Sequence, residues 1–169
     1  MGTFLFLCVS AIAVFAENSD DKSVVAEKYL KVIGSPDSLS VVLIDPWVED
    51  ATDWMDGYGE ILSTSIVKDV KVVEEVSKLL SDPKSFEIHE LVKDCTHMPD
   101  AVLIFHSKKG DVRVSYSSYC DIFRFAQGED YEELEGEHIR LQFLEILKRV
   151  YPKDRYIRTL IKREKSNFK

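Results

Sequence analysis

AVLIFH (residues 101–106), SKKG (107–110) and DVRVSYSSYCDIFRF (111–125) decide the fold. The first run is continuously apolar, as a strand buried on both faces must be. The second ends in Gly110, which tolerates the positive φ that a hairpin turn requires. The third returns with period two: Val112, Val114, Tyr116 and Ser118 on one face, Arg113, Ser115, Ser117 and Tyr119 on the other. The returning run is long for one strand. A bulge or break is expected near Ser118 to Cys120.

Upstream, LSVVLI (39–44) and residues 61–67 read as strands, and Phe86 to Val92 alternates like an edge strand. Val25, Tyr29, Val32 and Ile33 have helical spacing, with Ser23 as N-cap and Gly34 and Pro36 at the end. Asp69 can cap a helix over 70–80 whose stripe is Val72, Val73, Val76, Leu79 and Leu80. Residues 127–136 read as an acidic loop. Residues 138–150 read as a helix, interrupted by Pro152, and Asp154 can cap a last helix through Lys165. The sum is an α+β class: a mostly antiparallel sheet of about five strands with helices packed on one face.

The chain has 169 residues, 45 % hydrophobic and 31 % charged. That is a one-domain length with enough apolar content for a core. MGTFLFLCVSAIAVFA (1–16) is uncharged, apolar and ends in a small residue before Glu17. It has the pattern of a cleavable signal peptide and is shorter than a membrane-spanning helix. Residues 17–22 are a polar spacer, 23–165 the domain and 166–169 a basic tail. The protein is expected to be secreted, periplasmic or extracellular, with no transmembrane helix after cleavage.

The net charge is −8 and unevenly placed. Residues 148–169 hold nine Lys or Arg and two acids; the rest of the mature chain carries a net −15. An acidic body argues against nucleic acid, which needs a positive face. The basic end can meet an anionic surface or pair with the acidic body.

Loss of Cys8 with the signal leaves Cys95 and Cys120 in an oxidising compartment, where a bridge is the default. Cys95 precedes the first hairpin strand and Cys120 lies late in the second, so the return brings them near each other. The competing reading is a metal or thiol-redox site of Cys95, His97, His106 and Cys120, correct donors in no standard spacing.

Cys95-Thr-His97-Met-Pro99-Asp100-Ala101, then Lys109-Gly110, then Tyr119-Cys120-Asp121-Ile122-Phe123, resembles a pattern in small uncharacterised exported bacterial proteins. There a Cys precedes Pro and His, and a strand, a Lys-Gly turn and a second strand ending in Cys-x-x-Cys follow. Asp100 stands at the His position and Phe123 at the second Cys. The resemblance implies no known activity.

Asp45, Glu49, Asp50, Asp53 and Asp56 crowd an acidic stretch (45–59), and Asp53-Trp54-Met55-Asp56-Gly57 lacks the alternation of a calcium loop. Trp47, Trp54 and Tyr58 in the same stretch form a candidate recognition patch, or fold back as a lid on the sheet. The serine-hydrolase elbow G-x-S-x-G, P-loops and dinucleotide fingerprints are absent from the sequence, and no cofactor is expected. The leading expectation is therefore a non-enzymatic binding module for a protein or envelope component, as a monomer or weak dimer. The metal or redox protein is the alternative, and a small hydrolase with an unrecognised site the third reading.

Overall fold

The computed structural model describes residues 24–47, 52–54, 57–87 and 95–167; the side chains of 52–54, 57, 58 and 167 stand outside that description. The signal segment, the spacer and Ser23 therefore lie outside it too. Among the described residues the chain forms seven strands and four α-helices, an α+β fold. The strands are β1 (Ser38–Asp45), β2 (Thr52–Trp54), β3 (Gly57–Ile66), β4 (Ala101–His106), β5 (Val112–Ser117), β6 (Ile122–Gln127) and β7 (Asp130–Glu135). The helices are α1 (Glu27–Ile33), α2 (Val70–Ser81), α3 (Arg140–Val150) and α4 (Arg155–Asn167). The sheet order is β2-β3-β1-β4-β5-β6-β7, antiparallel at every pairing.

The seven strands differ from the expected five at four places. Residues 111–125 are two strands, because Asp121 adopts φ 57° and turns the chain between Ser117 and Ile122. The break falls where it was expected, but as a hairpin turn rather than a bulge. Residues 127–136 are not a loop. Gly128, at φ 63°, turns the chain into β7, whose acidic side chains suit an exposed sheet edge. The acidic stretch after Trp47 likewise contributes β2 and the start of β3. Gly59 is needed there: a Cβ would collide with the Ile44 side chain and crowd the Asp45 carbonyl. Of the proposed strand at Phe86–Val92 only Phe86 and Glu87 are described, and Glu87 makes an isolated bridge to Glu135; residues 88–94 lie outside the described residues.

The helix starts follow local chemistry. Asp69 accepts the Lys71 N–H at 3.0 Å, and Asp154 accepts the Ile157 N–H at 2.9 Å. α1 begins later than Ser23 suggested, after Ala26, which makes no side-chain cap. All four helices bury their apolar stripes against one sheet face, contributed by Leu39, Val41, Leu43, Leu103, Val114 and their neighbours. At its centre Phe86, Tyr116, Phe123, Phe125 and Phe143 pack with ring centroids 4.8 to 5.4 Å apart. Each such buried ring stabilises by about 2–3 kcal/mol. The opposite face carries Ser40, Val42, Val102, Ile104, His106 and Ser115, of which Val42 and Val102 are buried with Ile44. No helix among the described residues is long and apolar enough to cross a membrane.

Candidate functional site

Three elements of the sheet end at one corner. The Ile44 N–H donates to the Asp100 carbonyl at 2.9 Å, and the Asp100 N–H to the Tyr116 carbonyl at 2.8 Å. The end of β1, the start of β4 and the end of β5 are thereby tied together. Cys95 and Cys120 form a disulfide across this corner, with Cα atoms 6.0 Å apart. It fastens the segment before β4 to the β5–β6 turn.

Beneath the disulfide lies a buried polar network. The Asp100 carboxylate, 2 % exposed, accepts the Ser118 N–H at 2.5 Å and the Tyr156 hydroxyl of α4. Burial pushes the Asp100 carboxyl up, against those two hydrogen bonds. Burial, with the Asp100 charge beside it, pushes the Tyr156 phenol up as well. Deeper still, Arg140 at the start of α3 pairs with Asp121 at 2.6 Å and with Glu164 of α4 at 2.6 Å. The side chains of Arg140 and Glu164 are 8 % and 2 % exposed. Burial opposes the Arg140 charge, and the Asp121 and Glu164 carboxylates outweigh it. This arrangement locks two helices to the turn that carries Cys120.

Above the disulfide the surface is aromatic. Trp47, two residues past β1, is 59 % exposed, and Tyr119, beside Cys120, is 63 % exposed. Their rings meet edge to face with centroids 5.5 Å apart. The Asp45 carboxylate accepts the Trp47 N–H at 3.0 Å and fixes the turn that presents the indole. Of the three aromatics singled out in the sequence, Trp47 is placed on this surface; the side chains of Trp54 and Tyr58 lie outside the described residues. Glu49, Asp50 and Asp56 also lie outside them. Tyr119 escapes sequence reading because its meeting with Trp47 depends on sheet pairing rather than on spacing.

The four metal-ligand candidates do not converge. The two sulfurs are bonded to each other. His97 is buried with its Nε2 2.8 Å from the Ser115 Oγ, and burial pushes it down to about 3, so it is neutral at pH 7. His106 sits elsewhere on the same face, at the far end of β4. Among the described residues no group of three or more potential metal ligands gathers.

His106 instead completes a chain that the sequence did not reveal. Its Nε2 lies 2.9 Å from the Ser40 Oγ and its Nδ1 2.8 Å from Asp111 Oδ2. Asp111 also accepts the Ser107 N–H at 3.1 Å. Burial is the largest single influence and raises the Asp111 carboxyl, but the Ser107 N–H and His106 together outweigh it and hold it below its usual range. With Asp111 ionised, Nδ1–H donates to it and Nε2 accepts the Ser40 hydroxyl proton. That is the order of a Ser-His-Asp triad. Its setting is less favourable. Ser40 lies within β1, which is paired on both sides, so the amides around it belong to the sheet ladders. An acyl-transfer site needs free donors for the oxyanion. Pairing of β1 with β4, and the β4–β5 turn, bring these three residues together; their spacing in the chain carries no signal.

A groove of about 580 Å³ between α2 and α3 is lined by Glu75, Glu145, Lys148 and Arg149. Its charges are already paired, Arg149 with Glu75 at 2.6 Å and Lys148 with Glu145 at 3.2 Å. The corner is thus the one described place where exposed aromatic area, a covalent clasp and a rigid polar base coincide. No family model, no curated protein and no solved structure matches the chain.

Proposed function

We propose that this is an exported, non-enzymatic binding domain whose contact surface is the corner at Trp47 and Tyr119. The observation that carries the reading is that exposed aromatic pair on a disulfide-fastened base. Large aromatics held rigid in water lose little entropy on contact and dominate binding energetics. The uncharged leader at residues 1–16 and the bridge support export to an oxidising compartment. The test is partner capture from an envelope extract by the mature protein. Trp47→Ala and Tyr119→Ala are each expected to weaken capture by about thirtyfold, the cost of losing a binding hot spot of ~2 kcal/mol. Both are exposed, so the melting temperature stays within the small range of surface substitutions. Full capture by the double variant would rule the corner out.

A second reading, a small acyl hydrolase, is favoured by the Ser40–His106–Asp111 chain. A fluorophosphonate probe separates the two. The binding-domain reading expects no more label on the native protein than on Ser40→Ala. Label on Ser40 that disappears in His106→Ala would establish the hydrolase instead.

A further inference from the structure

The face of α4 turned away from the core is basic. Arg155, Arg158, Lys162 and Arg163 are all exposed on it, while Ile157, Leu160, Ile161 and Glu164 are buried on the other side. Charge neutralisation by the acidic body reaches only part of this helix. Lys165 pairs with Glu145 at 2.7 Å and Arg163 lies 3.7 Å from Glu164. Among the described residues Arg155, Arg158 and Lys162 have no carboxylate partner; Arg158 only donates to the Pro152 carbonyl at 2.6 Å. Of the two readings of the basic end, pairing with the acidic body therefore does not extend to these three.

This basic face adjoins the aromatic corner. The Arg163 guanidinium donates to the Ser118 carbonyl at 3.3 Å, and Ser118 precedes Tyr119. Trp and Tyr beside Lys and Arg is the side-chain combination that settles at the headgroup level of a bilayer. Residues 148–169 hold nine Lys or Arg and two acids while the remainder of the mature chain carries a net −15, so charge turns the α4 face toward an anionic surface, and the corner adjoining it through Arg163 and Ser118 approaches with it. We infer that the corner and the outer face of α4 together form a docking surface for an anionic phospholipid bilayer. The inference rests on the corner being the contact surface and names what it contacts.

The experiment is co-sedimentation of the mature protein with vesicles of phosphatidylcholine alone and of phosphatidylcholine mixed with phosphatidylglycerol. Binding is expected only to the mixed vesicles and falls as salt rises, because the attraction is screened within a Debye length of ~10 Å at 0.1 M. The triple variant Arg155→Gln, Arg158→Gln, Lys162→Gln is expected to lose more than about tenfold in affinity, since each cation near such a surface contributes measurably. These residues are exposed, and a thermal melt equal to the native one confirms the fold. Trp47→Ala with Tyr119→Ala is expected to weaken binding to the same vesicles. No sedimentation with mixed vesicles, equal binding to both kinds, or undiminished binding by the triple variant overturns the lipid surface. So does capture of polyglutamate or self-association without vesicle binding, which would assign α4 to an acidic chain or a second copy. If vesicle binding needs α4 but is indifferent to Trp47 and Tyr119, the corner itself is the part that fails.

Discussion

Replacing Cys95 and Cys120 together by alanine is expected to remove about 3.5 kcal/mol of stability, the loop-closure entropy that a bridge over 25 residues takes from the unfolded chain. For a domain of this size that lowers the melting temperature by about 10 °C. The protein should still fold. Its core holds all four helices against the sheet and does not depend on the bridge. The loss should instead concentrate at the corner, where the segment before β4 is fastened to the turn carrying Tyr119. Thermal melts of the native protein, the double variant and the native protein under a thiol reductant measure this. Reductant should lower the native midpoint towards that of the variant and leave the variant unchanged. A double variant that melts with the native protein would show that the bridge contributes nothing.

Arg140→Met is expected to cost still more, about 3–5 kcal/mol, because Glu164 would remain buried without its cation. The pairing of Arg140 with Asp121 would also be lost, at a turn where a non-glycine residue already holds a left-handed φ. The double variant Arg140→Met with Glu164→Leu should recover most of the deficit, since two apolar side chains of similar volume need no compensating charge. Urea unfolding of the native protein, Arg140→Met, Glu164→Leu and the double variant gives the cycle. A single variant as stable as the native protein, or a double variant no better than the single, contradicts the claim that the pair is a lock between α3, α4 and the β5–β6 turn.

Much of the fold was legible because the hydrophobic pattern is local. Ala101 to His106, the Gly110 turn and the alternation from Val112 to Ser117 specify the central hairpin. Asp69 and Asp154 announce their helices as caps. The bridge followed from two remaining cysteines flanking that hairpin. What was missed has a physical cause in each case. The β5–β6 turn contains neither Gly nor Pro; Asp121 supplies the positive φ that either an Asn or a Gly would have advertised. The sequence DYEELE of β7 lacks an apolar alternation because it is an edge with no fully buried residue. Trp47 was singled out for its setting among acids, yet its partner Tyr119 lies on a different hairpin and meets it only through the pairing of β1, β4 and β5. The buried carboxylates Asp100 and Glu164 were illegible for the same reason: their phenol and guanidinium partners come from elements distant in the chain.

As proposed, this is an exported domain that presents an aromatic corner fastened by one disulfide. Intact-mass measurement of the protein recovered from the secreting cell tests this most directly. The expected species begins at Glu17, is lighter by two hydrogens than its reduced form, and gains them on reduction. A species that retains residues 1–16, or one with two free thiols before reduction, would contradict it.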